Sequence, residues 1–183
     1  MIPVSLSLRN FLSYGEDVGT LDFTQFRVAC LSGDNGHGKS ALLDAITYAL
    51  WGEARKNQYE RKPDEGLLRI GTSEMRVEFI FDLDGERYRV IRSYCKRSKR
   101  GIAQLDLQVF DEAAATYRSL SEGDSLTRTQ ERVIQLLCMD YNTFTNSAFI
   151  VQGRADAFTE KNARQRKEIL SQILGLERYD RLQ

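Results

Sequence analysis

The sequence lacks any long hydrophobic run, any excess of charge of one sign, and any appreciable number of cysteine, histidine or proline residues. No stretch approaches the ~18 consecutive apolar residues of a transmembrane helix. The first residues show no basic segment followed by an apolar one, which is the pattern of a secretory signal. These absences predict a cytoplasmic protein, associated with the nucleoid if it is bacterial, with no membrane partner.

The charges balance, with 26 Lys and Arg against 26 Asp and Glu in 183 residues. No overall field therefore draws the chain to nucleic acid, and any such binding requires a local basic patch. The three cysteines are an odd number without a C-x-x-C pair, which predicts reduced thiols. Apolar neighbours predict that Cys30 and Cys138 are buried. With His37 as the only histidine, a metal site is not expected.

The chain does contain a glycine-rich stretch, GDNGHGKS at residues 33–40, which matches G-x-x-x-x-G-K-[ST] at every fixed position. Glycines permit a tight turn whose backbone N–H groups point at phosphate oxygens. Lys39 would then bring its charge to the β- and γ-phosphates, and the Ser40 hydroxyl would hold Mg²⁺. Residues 27–31 predict a buried strand before the stretch. Residues 40–51 predict a helix after it, whose N-terminus favours an anion.

Alternating apolar residues predict several β-strands. They cover residues 3–9, 20–23, 74–82, 87–94 and 103–110, with a further buried strand at 147–151. The first two form an antiparallel hairpin, whereas Ras-like and kinase-like domains begin with a strand that enters the phosphate loop directly. This order favours an ABC-type P-loop ATPase head. The predicted fold is α/β, with a mixed sheet around the helix and an antiparallel meander beside it.

Two further helices are predicted in the second half of the chain, one over residues 125–139 and one from Thr159 onward. The apolar stripe of the second continues to the last residue, which favours the root of a coiled coil over a terminal helix packed on the domain. We therefore predict a head lobe over residues 1–158 and the helix and coiled-coil root over residues 159–183. Residues 53–65 predict a surface loop.

The motifs that complete ATP hydrolysis are not evident in the sequence. A hydrolysing P-loop ATPase has an apolar strand ending in an Asp that organises Mg²⁺, commonly beside a Glu that activates water. FIFD at residues 79–82 matches this only superficially, because the turn at Asp84 and Gly85 makes it part of a hairpin. LSEGD at residues 120–124 matches the ABC signature only faintly. The catalytic machinery in this sequence is incomplete.

Three stretches carry a family resemblance: RNFLSY at residues 9–14, GDNGHGKSALLDAI at 33–46, and FIVQG at 149–153. They resemble the N-terminal half of SbcC proteins, the bacterial SMC-like ATPases of DNA double-strand-break repair that correspond to the ATPase of MRN complexes. The resemblance implies a head split in sequence, whose C-terminal segment returns after a coiled coil with a zinc hook. It also implies ATP-dependent dimerisation with a second copy, control of an SbcD-type nuclease, and binding of double-stranded DNA.

The resemblance implies a role for each matching residue. Lys39 would act in catalysis with Gln152, which would reach Mg²⁺ or the attacking water, and Ser40 would hold Mg²⁺. The remaining ATP contacts would come from Ser13, Asn35, Gly36, His37, Gly38 and Ala41. His37 stands where Ser or Ala is usual, so it either contacts the nucleotide or points to solvent. Leu12 stands where archaeal relatives carry an Arg, and it cannot supply that charge.

Basic residues are concentrated in one predicted hairpin, with seven of them in residues 87–100. Such a stripe would neutralise DNA phosphates without reading bases, and its binding would weaken with salt. The alternative is a solvated loop tip. The expected DNA contacts are Lys96, Arg97, Lys99 and Arg100.

Two other functions remain open at this point. The same fold would serve a chromosomal SMC protein or a RecN/RecF-like DNA clamp without a nuclease, and the glycine-rich stretch also occurs in small P-loop kinases. The preceding hairpin and the lack of an evident acceptor site or lid disfavour the kinase. The leading hypothesis is an ATPase with ATP and Mg²⁺ as cofactors, of which this segment alone is inactive.

Overall fold

The computed structural model describes residues 1–55, 63–98, 101–121, 125–147 and 162–173. The chain divides into two compact units, Met1–Val133 and Ile134–Gln183. Within the described residues the first unit carries the sheet and the glycine-rich stretch, and the second carries two short helices. No helix in the described part of the chain is long and apolar enough to cross a membrane.

The first unit is built on one six-stranded sheet. Its strands are β1 (Ile2–Arg9), β2 (Leu21–Asp22), β3 (Glu74–Leu83), β4 (Glu86–Cys95), β5 (Ile102–Asp111) and β6 (Thr116–Ser119). Their spatial order is β2-β1-β3-β4-β5-β6, and every pair of neighbours is antiparallel. The predicted mixed sheet is therefore wrong for the described residues. The first hairpin and the meander form one antiparallel sheet, because the strand expected at residues 27–31 does not join it.

The predicted meander is confirmed. In β3 every second residue is buried, including Met75, Val77 and Phe79, so that one face of the strand enters the core. The turn to β4 lies at Asp84 and Gly85, whose φ angles are +52° and +87°. Two successive left-handed residues are what a two-residue hairpin turn with the native twist requires. The short edge strand β6 was not predicted.

The first long helix, α1 (Lys39–Trp51), begins inside the glycine-rich stretch, so the helix predicted over residues 40–51 is confirmed. Its inner face contacts β3 and β4, and Ala45, Tyr48 and Leu50 are fully buried. The helix ends at Gly52, where a φ of +73° lets the backbone N–H turn back to the Tyr48 carbonyl. Packing on the sheet thus fixes the axis of α1 and the place where the glycine-rich stretch meets it.

Smaller elements complete the first unit, and the last of them, a helix, continues past Val133 into the second. A short 3-10 helix (Phe23–Gln25) follows β2, and α2 (Pro63–Leu67) occupies part of the segment that was predicted as a surface loop. The helix predicted over residues 125–139 is confirmed as α3 (Leu126–Leu137), with Val133 fully buried. The other apolar residues expected on its inner side, Ile134, Leu136 and Leu137, are only half-buried.

The second unit contains α4 (Tyr141–Ser147) and α5 (Ala163–Ile173), which contact each other. The Asp140 carboxylate accepts a hydrogen bond from the Thr143 N–H at 2.7 Å and so caps the start of α4. Ser147 was expected to open a strand but is the last residue of α4. The rest of that expected strand lies outside the described residues, as do residues 159–161 and 174–183 of the helix and coiled-coil root expected over 159–183.

The segment before the glycine-rich stretch is not the buried strand that the sequence predicted. Val28 is 90% exposed, Leu31 is 45% exposed, and Cys30 is exposed. A parallel-sheet strand is buried only when neighbouring strands pair with it, and no described strand pairs with residues 27–31. Cys138 is also exposed rather than buried, because it follows α3 in a left-handed conformation (φ +51°) at the helix end.

Candidate nucleotide-binding site

The glycine-rich stretch, residues 33–40, forms a loop that we call the glycine loop. Gly36 and Gly38 have φ angles of +87° and +81°, a region that side chains disfavour. A Cβ atom on Gly38 would lie 2.5 Å from the Ser13 Oγ, whereas one on Gly36 would meet nothing within 4 Å. Gly38 is therefore required both for its conformation and for its close approach to a neighbouring loop.

The last two residues of the glycine loop, Lys39 and Ser40, are also the first two residues of α1. Gly38 is the cap residue, and as a glycine it has no side chain to hydrogen-bond with the amides there. The first amides of a helix lack partners inside the helix and carry the positive end of its dipole. The first turn holds no acidic side chain that would compete for them. This end of α1 is suited to an anion.

The Lys39 ammonium lies across the glycine loop. Its Nζ donates hydrogen bonds to the carbonyl oxygens of Gly33 at 2.6 Å and Asp34 at 2.7 Å. The side chain therefore folds back over the loop that it follows. Carbonyl oxygens are weak acceptors beside phosphate oxygens, so the same ammonium can exchange them for a bound phosphate.

A second loop, which we call the Ser13 loop (residues 10–15), follows β1 and meets the glycine loop at Gly38. The Tyr14 hydroxyl donates a hydrogen bond to the Gly38 carbonyl at 3.2 Å, and its partial burial raises the pKa of Tyr14. Ser13 was predicted to approach the phosphates, and its Oγ lies against Gly38. Tyr14 was not predicted. Its position directly after Ser13 in the RNFLSY stretch was the one available signal.

The structure therefore brings Ser13, Gly38 and the start of α1 together. Asn35, Gly36 and His37 lie in the exposed part of the glycine loop, and Ala41 is buried in the first turn of α1. Gln152 lies outside the described residues, so its relation to this site stays a prediction.

These features fit a nucleotide phosphate. A cradle for a multiply charged anion is formed by three features: a loop with glycine at two left-handed positions, the amides at the start of α1, and the Lys39 ammonium. The Ser40 hydroxyl stands in the first turn of α1, where it is half-buried and can serve as an oxygen ligand for Mg²⁺. Within the described residues no cluster of His, Cys, Asp or Glu offers a separate metal site.

Comparison with known proteins decides the family. A family model described as an AAA domain matches residues 5–183. Relatives named for SbcC and for Rad50 match over essentially the whole chain. The chain belongs to the SbcC/Rad50-like family. The resemblance seen in the sequence is thereby confirmed.

The relatives extend well beyond this chain. The SbcC component of the nuclease SbcCD of Deinococcus radiodurans is 31% identical over 183 residues, which is all of this chain and 19% of that protein. The probable DNA double-strand break repair Rad50 ATPase of Aquifex aeolicus is 30% identical over 100% of this chain and 17% of its own length. The DNA double-strand break repair Rad50 ATPase of Thermoplasma volcanium is 29% identical over 98% of this chain and 18% of its own length. The chain thus spans about a fifth of each relative.

The basic stripe of this SbcC/Rad50-like chain does not form one surface. Arg92 is only 4% exposed, and Arg87 is paired with Asp82 at 2.8 Å, which raises the pKa of Arg87. The Arg89 guanidinium stacks over the Tyr117 ring, with its Cζ 3.8 Å from the ring centroid. The arginines of β4 are therefore already engaged inside the sheet or with its neighbouring side chains.

The residues at the end of β4 differ from those within it. Lys96 is exposed and pairs with Glu65 at 2.6 Å, which raises the pKa of Lys96. Arg97 is exposed, and Lys99 and Arg100 lie outside the described residues. Of the predicted DNA contacts, Lys96 and Arg97 thus lie at the surface, and the role of all four stays a prediction.

The buried end of α1 has a support that the sequence did not reveal. The Arg92 Nε donates to the Ala49 carbonyl at 3.3 Å, and the Gln130 Nε2 donates to the Leu50 carbonyl at 2.9 Å. Arg92 also donates to the Gln130 side chain, and its Cζ lies 5.4 Å from the centroid of the Tyr48 ring. Burial lowers the pKa of Arg92. Because the last carbonyls of a helix lack partners within it, a cation from β4 stabilises this end.

A second contact fixes the middle of α1. Asp44 is 4% exposed and accepts hydrogen bonds from the Arg55 Nε and Nη2, both at 2.9 Å, and from the Arg55 backbone N–H at 3.2 Å. A bidentate guanidinium pair of this kind gives geometric precision as well as energy. The chain that leaves α1 is thereby tied back to the helix.

Proposed function

We propose that this chain is the N-terminal, ATP-binding part of an ABC-type ATPase head that acts in DNA double-strand-break repair. The observation that carries the proposal is the cradle at the start of α1, in which Lys39 lies over the glycine loop. The names of the relatives, which include a nuclease component and double-strand break repair ATPases, supply the biological setting.

Within this proposal each residue of the cradle has a task. Lys39 binds the β- and γ-phosphates in place of the Gly33 and Asp34 carbonyls that it now contacts. Backbone amides of the glycine loop hold phosphate oxygens, the Asn35 amide contacts the terminal phosphate, and Ser40 binds Mg²⁺. The metal ion neutralises charge that develops on the phosphate oxygens. Gln152 contacts the metal or the attacking water.

The exposed segment at residues 27–31 supports the idea that the head is completed by other residues. Val28, at 90% exposure, and Leu31, at 45%, present apolar side chains that no described element covers. An apolar segment whose side chains stay exposed marks a surface on which another part of a protein can pack. We propose that a C-terminal segment of the full protein pairs here. That segment would supply the Asp that organises Mg²⁺ and the Glu that activates water, neither of which is evident in this sequence. Two completed heads then enclose ATP between them and control an SbcD-type nuclease.

The experiment measures Mg²⁺-dependent ATP binding and turnover by the 183-residue chain, with Lys39→Ala as the control. We expect binding that Lys39→Ala abolishes and no turnover. Turnover should appear when the C-terminal segment of the same protein is added. Ordinary turnover by the chain alone would contradict the split head, and absence of Mg²⁺-ATP binding to the folded chain would contradict the nucleotide site.

A further variant tests the pairing segment. Val28→Lys should leave the thermal midpoint of the isolated chain unchanged, because the side chain is 90% exposed. It should nevertheless prevent recovery of turnover on addition of the C-terminal segment, because a charge would be buried in the new sheet. The matched control is Ile70→Lys, since Ile70 is 99% exposed on a different loop. Equal recovery by both variants would exclude residues 27–31 as the pairing site.

The proposed DNA contact rests on exposed charge at the end of β4. Changing Lys96, Arg97, Lys99 and Arg100 to Glu should weaken duplex binding by the assembled complex and flatten its dependence on salt. Arg118→Glu is the control, because Arg118 is exposed on the edge strand β6. Unchanged affinity of the four-residue variant for duplex DNA at low salt would refute the proposed DNA contact.

A further inference from the structure

The Ser13 loop has a strained backbone. Asn10 and Leu12 have φ angles of +53° and +50°. Asparagine tolerates this left-handed region, but leucine rarely adopts it. Such conformations persist only where the surrounding contacts enforce them, and they concentrate at functional sites. Contacts on both sides of the Ser13 loop hold its backbone in this conformation.

On one side the Ser13 loop is hydrogen-bonded to the last residue of α2 and to the segment that follows it. The Leu12 N–H donates to the Leu67 carbonyl at 2.8 Å, and the Arg69 N–H donates to the Asn10 carbonyl at 2.9 Å. The Arg69 guanidinium reaches further and donates to the Ser13 carbonyl. Between them, Phe11 is completely buried. The loop therefore has a fixed base and is not free to move toward or away from α1.

On the other side the loop presents Ser13 and Tyr14 to the glycine loop. The Gly38 carbonyl accepts hydrogen bonds from the Ala41 N–H of α1 at 2.9 Å and from the Tyr14 hydroxyl at 3.2 Å. A Cβ on Gly38 would lie 3.3 Å from the Tyr14 ring, so the ring also lies close beside Gly38. Gly38 joins the loop to the helix, and Lys39 and Ser40 follow it directly. The orientation of its peptide group sets the direction of the next amide.

We propose that Tyr14 is a positioning residue for the nucleotide site, and that Arg69 holds the loop from which Tyr14 acts. The Tyr14 hydroxyl fixes the Gly38 carbonyl and so orients the amide of Lys39 toward the phosphate. The strain at Leu12 is the consequence of turning Ser13 and Tyr14 toward Gly38. This inference rests on the proposed function, because it needs a phosphate at the glycine loop.

The test compares Tyr14→Phe with Tyr88→Phe in the 183-residue chain. Tyr88 is half-buried against Phe81, and its hydroxyl has no hydrogen-bond partner among the described residues, so it is a matched control. Binding of a fluorescent Mg²⁺-ATP analogue should be about three- to tenfold weaker for Tyr14→Phe, which corresponds to one lost hydrogen bond. Tyr88→Phe should bind like the wild type, and both variants should keep the same thermal midpoint within a degree or two.

A second measurement needs no nucleotide. The Lys39 amide shares its peptide group with the Gly38 carbonyl, so its ¹⁵N resonance in the free chain should shift in Tyr14→Phe and not in Tyr88→Phe. Arg69→Met, which removes the side-chain donor, should shift the same resonance, and Arg69→Lys, which keeps a donor for the Ser13 carbonyl, should shift it less. An unmoved resonance, or equal nucleotide affinity of the two tyrosine variants, would overturn the inference and leave the nucleotide site intact. Failure of the wild-type chain to bind nucleotide would overturn the proposed function itself.

Discussion

Replacement of Arg92 by methionine isolates the cost of losing the buried cation at the end of α1. Arg92 is 4% exposed, so methionine keeps most of the aliphatic volume and removes the guanidinium. Two hydrogen bonds disappear, one to the Ala49 carbonyl and one to the Gln130 side chain. The Ala49 carbonyl then remains buried without this donor, and the half-buried Gln130 side chain loses it as well. The favourable interaction of a cation with the helix C-terminus disappears as well.

The expected change in the free energy of unfolding of Arg92→Met is the sum of two opposing contributions. Hydrogen bonds from a charged donor contribute about 1.5–3 kcal/mol each, so the loss of two costs about 3–6 kcal/mol. Methionine avoids the desolvation of a buried guanidinium, which returns part of this cost, and we expect the free energy of unfolding to fall by about 2–4 kcal/mol. Gln130→Met should cost less, and the double variant should be less destabilised than the sum of the two, because the residues share one hydrogen bond.

The assay is urea unfolding followed by tryptophan fluorescence. Trp51 is the only tryptophan, is 7% exposed, and is the last residue of α1, so it reports directly on the affected helix end. Arg76→Met is the control, because Arg76 lies on the neighbouring strand, is half exposed, and makes a surface pair with Glu78. That variant should cost less than about 1 kcal/mol. If Arg92→Met costs no more than Arg76→Met, the cation does not stabilise α1.

Two further predictions concern the glycine loop and the outer sheet face. Gly38→Ala and Gly36→Ala both place alanine at a positive φ, which should lower the free energy of unfolding by about 1 kcal/mol in each variant. Only Gly38→Ala should lose a further ~1–3 kcal/mol, because its Cβ would lie 2.5 Å from the Ser13 Oγ. Equal thermal midpoints of the two variants would contradict this. Burial raises the pKa of Asp106, but hydrogen bonds from Ser119, Ser121 and Gln108 outweigh it and hold that pKa below its ordinary value. The carboxylate therefore stabilises the fold above about pH 4 and loses this effect as the pH falls through its folded pKa. In urea unfolding, the stability gap between wild type and Asp106→Asn should be present at about pH 7 and should narrow as the pH falls below the ordinary carboxyl pKa of about 4. A gap independent of pH would refute this prediction.

The local elements were predictable where one physical signal dominates. Period-two alternation identified β1, β3, β4 and β5, and the Asp84-Gly85 pair identified the hairpin turn. Helical spacing after the glycine-rich stretch identified α1. In each case the same residues that form the element also form its buried face, so pattern and packing agree.

The errors arose where burial depends on partners distant in the chain. Residues 27–31 have the composition of a buried strand, but burial requires a neighbour that no described element supplies. Arg92 was counted with surface cations, although its register on β4 places it beneath α1. For the site, the motif predicted Lys39 and Ser40, and the resemblance predicted Ser13. Tyr14 and Arg69 became visible only when the folded chain brought the Ser13 loop against Gly38.

The exposed segment at residues 27–31 also has a consequence for biosynthesis. The relatives are about five times as long as this chain. Under the proposed function this chain is the N-terminal part of such a protein, and roughly four-fifths of it would still be unmade when this part leaves the ribosome. At ~5–20 residues per second, synthesis of the remainder takes on the order of a minute. During that time Val28 and Leu31 face solvent. Nascent chains of this family should therefore depend on chaperones at this segment, and a ribosome-bound fragment ending after α5 should be captured less when it carries Val28→Lys.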